Sequence, residues 1–305
     1  MTKLLTRARF AAADAFVREK GRPLDAALLA LELGRGAPDD VLAELVAFQN
    51  GDGGFGHGLE PDLATPASSA IATSIGLRIL TRLETPARRP TVVAAIDWLA
   101  QAIDPEAGVW PIVGEDVALA PHAPWWNWSD DMAAGWNGFR FNPTAEILAH
   151  LYRFRDLAPA PMLACAEAGV RYTLAETELI EGPYDIKCAV RLAECDGLPP
   201  DLARPLDGLV RRSIAAHDPA DPHASPFDAA PTPQSPFADV VDGRIEPALT
   251  TLIAAQGDDG GWPWNPDWNW SFVDKAAGAA AAAAWRGVAT REALETLLAY
   301  GRVES

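Results

Sequence analysis

Two adjacent acids follow a tryptophan-rich string in the middle of the chain. Asp130 and Asp131 come directly after Pro124-Trp125-Trp126-Asn127-Trp128-Ser129. If the two carboxyls lie close together in a poorly hydrated place, like-charge repulsion and desolvation raise the pKa of one of them. A carboxyl that stays neutral at pH 7 can protonate an alkene or a heteroatom. The same residues also fit a plainer interpretation, in which Ser129 caps a helix and the acids favour the helix dipole.

A second group of polar side chains lies in a glycine-rich segment nearer the N-terminus. His57, Glu60 and Asp62 fall within six residues, and together they could ligate a cation or share a proton, although an ordinary solvated turn has the same spacing. Tyr184, after Gly182-Pro183, is a weaker candidate. The candidate catalytic residues are Asp130, Asp131, Glu60, Asp62 and His57.

Nine of the eleven tryptophans lie in or beside two long loops, roughly 104–141 and 257–271. Both loops contain Trp-Asn-Trp-Ser, and each copy follows Gly-x-Trp-Pro. Loops at one end of a helical ring can meet over its axis. Tryptophan faces stabilise cations and stack on sugar rings, but they could equally plug the end of a barrel. The candidate substrate-binding residues are Trp110, Trp125, Trp126, Trp128, Asn127, Trp136, Trp262, Trp264, Trp268, Trp270 and Tyr184.

The elements that must position these residues are marked by a recurring glutamine–glycine–aromatic pattern. It runs from Gln49 to Phe55 and from Gln256 to Trp262, with a degraded copy from Gln101 to Trp110. Its period is near 52 residues, which fits almost six times into the chain and predicts stacked helical hairpins. A glutamine at a helix end can bond to the backbone of an adjacent helix, and the glycines permit a sharp turn.

Helical periodicity predicts about twelve helices between these marks, and strand-like alternation is absent. Six hairpins predict an all-α, single-domain (α/α)6 toroid over residues 1–305, whose inner helices meet around an axis. The predicted helices lie near 4–19, 24–34, 38–48, 67–83, 89–103, 142–155, 160–176, 183–195, 200–216, 242–256, 272–285 and 289–300.

The marks resemble the QW-type repeats of the terpenoid-cyclase and protein-prenyltransferase superfamily. Phe55–Ser74 and Trp285–Arg302 are also similar to segments of short bacterial prenyltransferase-like proteins. The resemblance implies an α/α toroid and favours a class II cyclase-like lyase or isomerase. The DxDD acid motif of those cyclases is represented only by Trp128-Ser129-Asp130-Asp131. The zinc ligands of the prenyltransferases have no counterpart, so neither a metal nor a cofactor is expected.

The sequence leaves three functions open. The first is metal-independent, acid-initiated cyclisation or isomerisation of an isoprenoid by Asp130 or Asp131 in a tryptophan-lined cavity. The second is a carbohydrate-active or sugar-binding toroid, in which tryptophans stack on sugars while Asn127 and acids such as Glu60 bond hydroxyls. The third is a non-catalytic scaffold whose tryptophan loops bind a partner.

Charge and hydropathy narrow the classes of partner. The formal net charge of −17 argues against nucleic acid and favours a small, hydrophobic ligand that is neutral or cationic. No apolar stretch approaches the roughly 20 residues of a membrane span. The first 20 residues resemble an amphipathic helix rather than a signal peptide, which predicts a cytoplasmic location. Cys165, Cys188 and Cys195 lack metal-binding spacing and are expected to be buried thiols. The sequence does not indicate an oligomeric state.

Overall fold

The computed structural model describes residues 3–128, 141–218, 221, 223–264 and 274–304. Within these ranges the chain is mainly α-helical and contains no β-strand, which confirms the predicted all-α class. None of the described helices has the length and apolar character that a membrane span requires. The helices are α1 (Arg7–Lys20), α2 (Pro23–Glu32), α3 (Pro38–Leu45), α4 (Ala70–Arg82), α5 (Arg89–Ala102), α6 (Thr144–Arg153), α7 (Ala160–Glu176), α8 (Pro183–Ala193), α9 (Pro200–Ala216), α10 (Pro226–Ala229), α11 (Ala238–Ala254) and α12 (Lys275–Ala299).

The observed helices differ from the predicted ones in two places. The helices predicted at 272–285 and 289–300 are the single helix α12, and Gly287 between them lies against Gly21 of the α1–α2 turn. A glycine inside a helix favours close approach of another backbone as well as a helix end, which explains the wrong prediction. The short helix α10 also lies within the proline-rich stretch 218–236, where the helical periodicity predicted no helix.

Helices that are neighbours in sequence pack as hairpins, and the two ends of the chain also meet. Helix α1 packs on α2, α2 on α3, α4 on α5, α6 on α7, and α10 on α11. The last helix, α12, packs on both α1 and α2. Beside this contact, the backbone N–H of Leu5 donates to the carbonyl of Arg302 (2.7 Å), and that of Glu304 donates to the carbonyl of Leu5 (3.0 Å).

Gln49 and Gln256 make equivalent hydrogen bonds in two copies of the repeat. Gln49 Nε2 donates to the carbonyls of Gly53 (2.9 Å) and of Thr91, the third residue of α5 (3.0 Å). Gln256 Nε2 donates to the carbonyls of Gly260 (2.8 Å) and of Arg9, the third residue of α1 (2.9 Å). The predicted bonding of these glutamines to an adjacent helix is therefore confirmed.

The third copy of the mark aligns differently from the prediction. Gln101 is exposed, and its amide donates to the carbonyl of Asp97 in its own helix. The turn itself begins at Asp104, whose N–H donates to the carbonyl of Val109 (2.9 Å) as that of Asn50 does to Gly54 (2.8 Å). Ile103 therefore occupies the position of Gln49, and the third copy retains only its glycine and tryptophan.

The glycine turns give a stability prediction. Gly53, Gly108 and Gly260 have φ angles of +97°, +67° and +90°, and a Cβ at any of them would lie 2.3–2.5 Å from a backbone oxygen of a neighbouring helix. We expect Gly260→Ala to lower the free energy of unfolding by about 3 kcal/mol, because strain and overlap add. Gly34→Ala is the matched control, since Gly34 has φ +65° but open space around it, and should cost about 1 kcal/mol. Urea unfolding measures both, and equal costs would contradict the helix contact.

Candidate functional site

The segment between Phe55 and α4 is fixed by backbone bonds to a second loop. The N–H of Ala64 donates to the carbonyl of Pro121 (3.0 Å), and the N–H of Ala123 donates to the carbonyl of Asp62 (2.9 Å). Leu59 and Leu63 anchor the segment by burying their side chains. The two loops thus hold Asp62 and its neighbours inside the protein rather than on a solvated turn.

Asp62 is buried among tryptophans and binds two of them. Asp62 is only 2% exposed. Its Oδ2 accepts a hydrogen bond from Trp125 Nε1 (3.0 Å), and its Oδ1 accepts one from Trp126 Nε1 (3.1 Å). Burial raises the pKa of Asp62 to about 6, although the bonds from Trp126 and Trp125 act in the opposite direction. Asp62 is therefore an ionised group at pH 7 whose two oxygens are both engaged.

Glu60 lies beside Asp62 but is only half-buried. Burial, reinforced by the charge of Asp62, raises the pKa of Glu60 to about 8. Arg78 and Arg22 act against this shift without cancelling it, and Glu292 contributes a further like charge. The pair thus holds one proton at pH 7, on Glu60, for the like-charge and desolvation reasons that the sequence suggested for Asp130 and Asp131.

Tryptophans from both long loops and from α12 lie around this pair. The rings of Trp264 and Trp285 are stacked, with centroids 4.9 Å apart and planes 3° from parallel. Trp285 in turn lowers the pKa of Asp62, which also binds Trp125 and Trp126. The Nε1 atom of Trp285 makes no hydrogen bond to a described residue, so Trp285 lies close to Asp62 without bonding to it.

Charged side chains from distant parts of the chain act on one another near Glu60. Glu292 keeps 51% of its side chain accessible, yet burial is the largest influence on its pKa. Glu292 is thus accessible to solvent and at the same time surrounded by protein atoms. Arg291, Lys187 and Arg78 outweigh burial and lower the pKa of Glu292, which is therefore ionised. The groups in this neighbourhood are Arg22 before α2, Arg78 on α4, Lys187 and Arg191 on α8, Asp228 on α10 and Glu292 on α12.

Glu146 connects three helices below this neighbourhood. It is 1% exposed on α6, and its two oxygens accept from Arg78 Nε of α4 (2.7 Å) and from Arg191 Nη1 of α8 (2.6 Å). Burial alone would raise the pKa of Glu146, but Arg191 and Arg78 hold it well below its usual range. His150 lies 3.5 Å from the same carboxylate, and burial lowers its pKa, so it is neutral at pH 7.

Tyr184 is at the edge of the same neighbourhood. Its residue is 50% exposed, and burial together with the charges of Glu60, Asp228 and Asp62 raises the pKa of its hydroxyl to about 12. The hydroxyl therefore remains protonated at neutral pH and can donate a hydrogen bond. Of the predicted site residues, Tyr184, Glu60, Asp62, Trp125, Trp126 and Trp264 are brought together.

Four predicted site residues lie elsewhere or have another role. Trp110 and Trp262 are 2% and 3% exposed, and their indoles donate to the carbonyls of Leu99 (2.8 Å) and Leu252 (2.7 Å). Both tryptophans therefore belong to the packed core rather than to the site, because each aromatic side chain covers a turn between helices. His57 is exposed, and its Nε2 bonds to Asn50 (2.7 Å), away from the acid pair. Asn127 is also exposed and bonds to His122 (3.0 Å).

One of the remaining predicted residues packs in an apolar cluster, and the others lie outside the described part of the chain. Trp128 is half-buried and packs against the apolar cluster that contains Leu63 and Trp126. Five candidates lie outside the described residues: Asp130, Asp131, Trp136, Trp268 and Trp270.

The sequence reasoning missed the helical part of the site. Arg78, Glu146, Arg191 and Glu292 lie inside helices, where charges normally mark a solvated face. The signal was present in Glu146, which lies among apolar residues in the helix Thr144–Arg153, whereas Glu292 lies in a charged part of Lys275–Ala299 and gave none. Only the packing of these helices against one another makes that position informative.

Chemically, the site offers a neutral carboxyl, an ionised carboxylate and aromatic surfaces close to one another. Among the residues described, no cluster of His, Cys, Asp and Glu could hold a metal ion. All three cysteines are free thiols, of which Cys188 is buried while Cys165 and Cys195 are partly exposed. In comparisons with known proteins, the chain matches no family model, no curated protein and no solved structure.

Proposed function

We propose that the hairpins close into an α/α toroid and that Glu60 is the general acid of a carbohydrate-active enzyme in its central cavity. The contact of α12 with α1 and α2 supports ring closure, because it joins the two ends of the chain. Charges from α4, α8, α10 and α12 that act on one another also support it, since a linear stack would keep these helices apart.

The observation that carries the catalytic proposal is the position of Glu60, which is half-buried beside the buried, tryptophan-bound carboxylate of Asp62. A general acid works best when its pKa is near the working pH, and burial with the neighbouring charge of Asp62 raises the pKa of Glu60 to about 8. Glu292 supplies the ionised carboxylate that glycoside cleavage also needs, either as a base or to stabilise positive charge on the sugar.

Asp62 serves as a positioning residue in this scheme. Each of its oxygens accepts a hydrogen bond from the indole of Trp125 or Trp126, which stabilises the ionised form of Asp62. Its charge keeps the proton on Glu60, and its hydrogen bonds fix the tryptophans as an aromatic wall. Such a wall can stack on sugar rings.

The chemistry of Glu60 favours a sugar over an isoprenoid. A carboxyl whose pKa is raised is a weaker acid, which suits transfer of a proton to a leaving oxygen better than to an alkene. Charged side chains such as Glu292 and Arg78 also line the neighbourhood, and burying an apolar chain against them carries a desolvation penalty. The hydroxyl groups of a sugar would instead form hydrogen bonds to these charges in place of the water that binding displaces.

Acid-initiated cyclisation or isomerisation of an isoprenoid is the second candidate. The observation that favours it is the grouping of Trp125, Trp126, Trp264 and Trp285, since aromatic faces stabilise carbocations. In that case a stronger acid than Glu60 must start the reaction, as the sequence suggested for Asp130 or Asp131.

A substrate screen separates these candidates. The purified chain is incubated at pH 6–7 with aryl glycosides and polysaccharides, and in parallel with neutral isoprenoids and isoprenyl diphosphates. We expect release of aryl alcohol or reducing ends from at least one glycan. New hydrocarbons without glycan cleavage would overturn the carbohydrate proposal in favour of the second candidate, and silence in both arms would leave a non-catalytic scaffold.

A further inference from the structure

Two arginines share one buried glutamate beside the acid pair. Arg78 Nε and Arg191 Nη1 donate to opposite oxygens of Glu146, at 2.7 and 2.6 Å. The glutamate side chain is 1% exposed, whereas the arginine side chains keep 34% and 25% of their surface accessible. Glu146 therefore balances one of the two positive charges, the ionised Glu292 also acts electrostatically on both arginines, and both arginine side chains keep part of their surface accessible.

The arginine pair also retains unused hydrogen-bond donors. Within the described part of the chain, the other nitrogens of Arg78 and Arg191 make no hydrogen bond. The ammonium of the nearby Lys187 is already paired with Asp228 at 2.6 Å, which distinguishes it from the two arginines. Arg78 also influences the pKa of Glu60, so the arginine pair lies within electrostatic reach of the proposed acid.

We infer that Arg78 and Arg191 bind a carboxylate of the substrate, so that the enzyme acts on an acidic, uronate-type sugar. The inference rests on the carbohydrate activity proposed above. A guanidinium group matches a carboxylate with two parallel N–H donors, and partial burial strengthens the attraction. The net charge of −17 favours a neutral or cationic ligand, but it does not describe the N–H donors that Arg78 and Arg191 offer at this one place.

The test uses Arg191→Met and a matched control, Lys187→Met. Both remove one positive charge from α8, one helical turn apart. Arg191→Met is expected to fold, because Glu146 and Arg78 remain as a balanced pair. Lys187→Met takes away charge of the same sign without touching the arginine pair. Circular dichroism establishes that both variants are folded before binding is measured.

Binding of D-glucuronate and D-glucose is then compared by NMR titration. We expect wild-type chain and Lys187→Met to bind glucuronate at least about tenfold more tightly than glucose, and Arg191→Met to lose that preference. Equal binding of the two sugars by the wild type, or an unchanged preference in Arg191→Met, would overturn the inference. Glycan cleavage without this preference would contradict the inference but leave the proposed activity standing. Arg191-dependent glucuronate binding without any cleavage would support the inference about the arginines and contradict the proposed activity.

Discussion

Glu60→Gln is expected to lower kcat/KM by about 10²- to 10⁴-fold on any glycoside that the wild-type chain cleaves. The amide has nearly the shape of the protonated carboxyl but cannot give up a proton to a leaving oxygen. Steady-state kinetics with an aryl glycoside measures the loss. The loss should be smaller on substrates with very acidic leaving groups, since these need little protonation, and that gradient distinguishes proton transfer from a binding defect.

The pH profile of the wild-type enzyme follows from the same carboxyl. Because Glu60 must be protonated, activity should fall as pH rises through about 8. Asp62→Asn removes the neighbouring like charge, which lowers the pKa of Glu60, so the alkaline limb should move to lower pH. A limb that stays in place would show that the titrating group is not Glu60.

Stability provides the control for Glu60→Gln. The pKa of Glu60 is raised in the folded protein, so the wild type loses stability as pH rises from the usual glutamate range toward 8. Glu60→Gln carries no such charge and should melt at a higher temperature than the wild type at pH 8.5, with no gain at pH 4.5. An inactive variant with this signature is folded. Full activity in Glu60→Gln would overturn the assignment.

The helical hairpins were predictable because their punctuation is local. The glutamine and glycine residues of each turn bond within a few residues and to the start of one neighbouring helix, as Gln49 does with Gly53 and Thr91. The third copy was misaligned because Gln101 has the right residue type two positions too early in the pattern. Its amide turns back to Asp97, and Ile103 takes the equivalent place.

The site was predictable only where its residues are in loops. His57, Glu60 and Asp62 form one motif in sequence, but a local pattern cannot say that two of them face inward while His57 remains outside. That difference arises from the loop carrying Pro121, which comes 60 residues later. Glu292 could not be identified from the sequence for a similar reason, because its place near Glu60 depends on α12 meeting the beginning of the chain.

Glu146→Gln is expected to be the most destabilising of these substitutions, lowering the free energy of unfolding by about 3–5 kcal/mol. It leaves Arg78 and Arg191 facing each other without their shared carboxylate, in a place where water replaces it poorly. Arg191→Met should cost less, because it leaves one balanced pair. The surface pair Arg82–Glu32, with both side chains 40% exposed at 3.0 Å, gives the control, and Glu32→Gln should cost about 0–1 kcal/mol.

The pH dependence of this effect has a defined sign. The arginines hold the pKa of Glu146 well below its usual range, so its stabilising contribution is present above the usual glutamate pKa and is lost as pH falls below it. Urea unfolding should therefore show a large difference between wild type and Glu146→Gln at pH 7 and a shrinking one toward pH 3. If Glu146→Gln instead matched Glu32→Gln at pH 7, the two guanidinium groups would be solvated without the glutamate. Arg78 and Arg191 would then have no buried carboxylate that holds their side chains in place for a substrate.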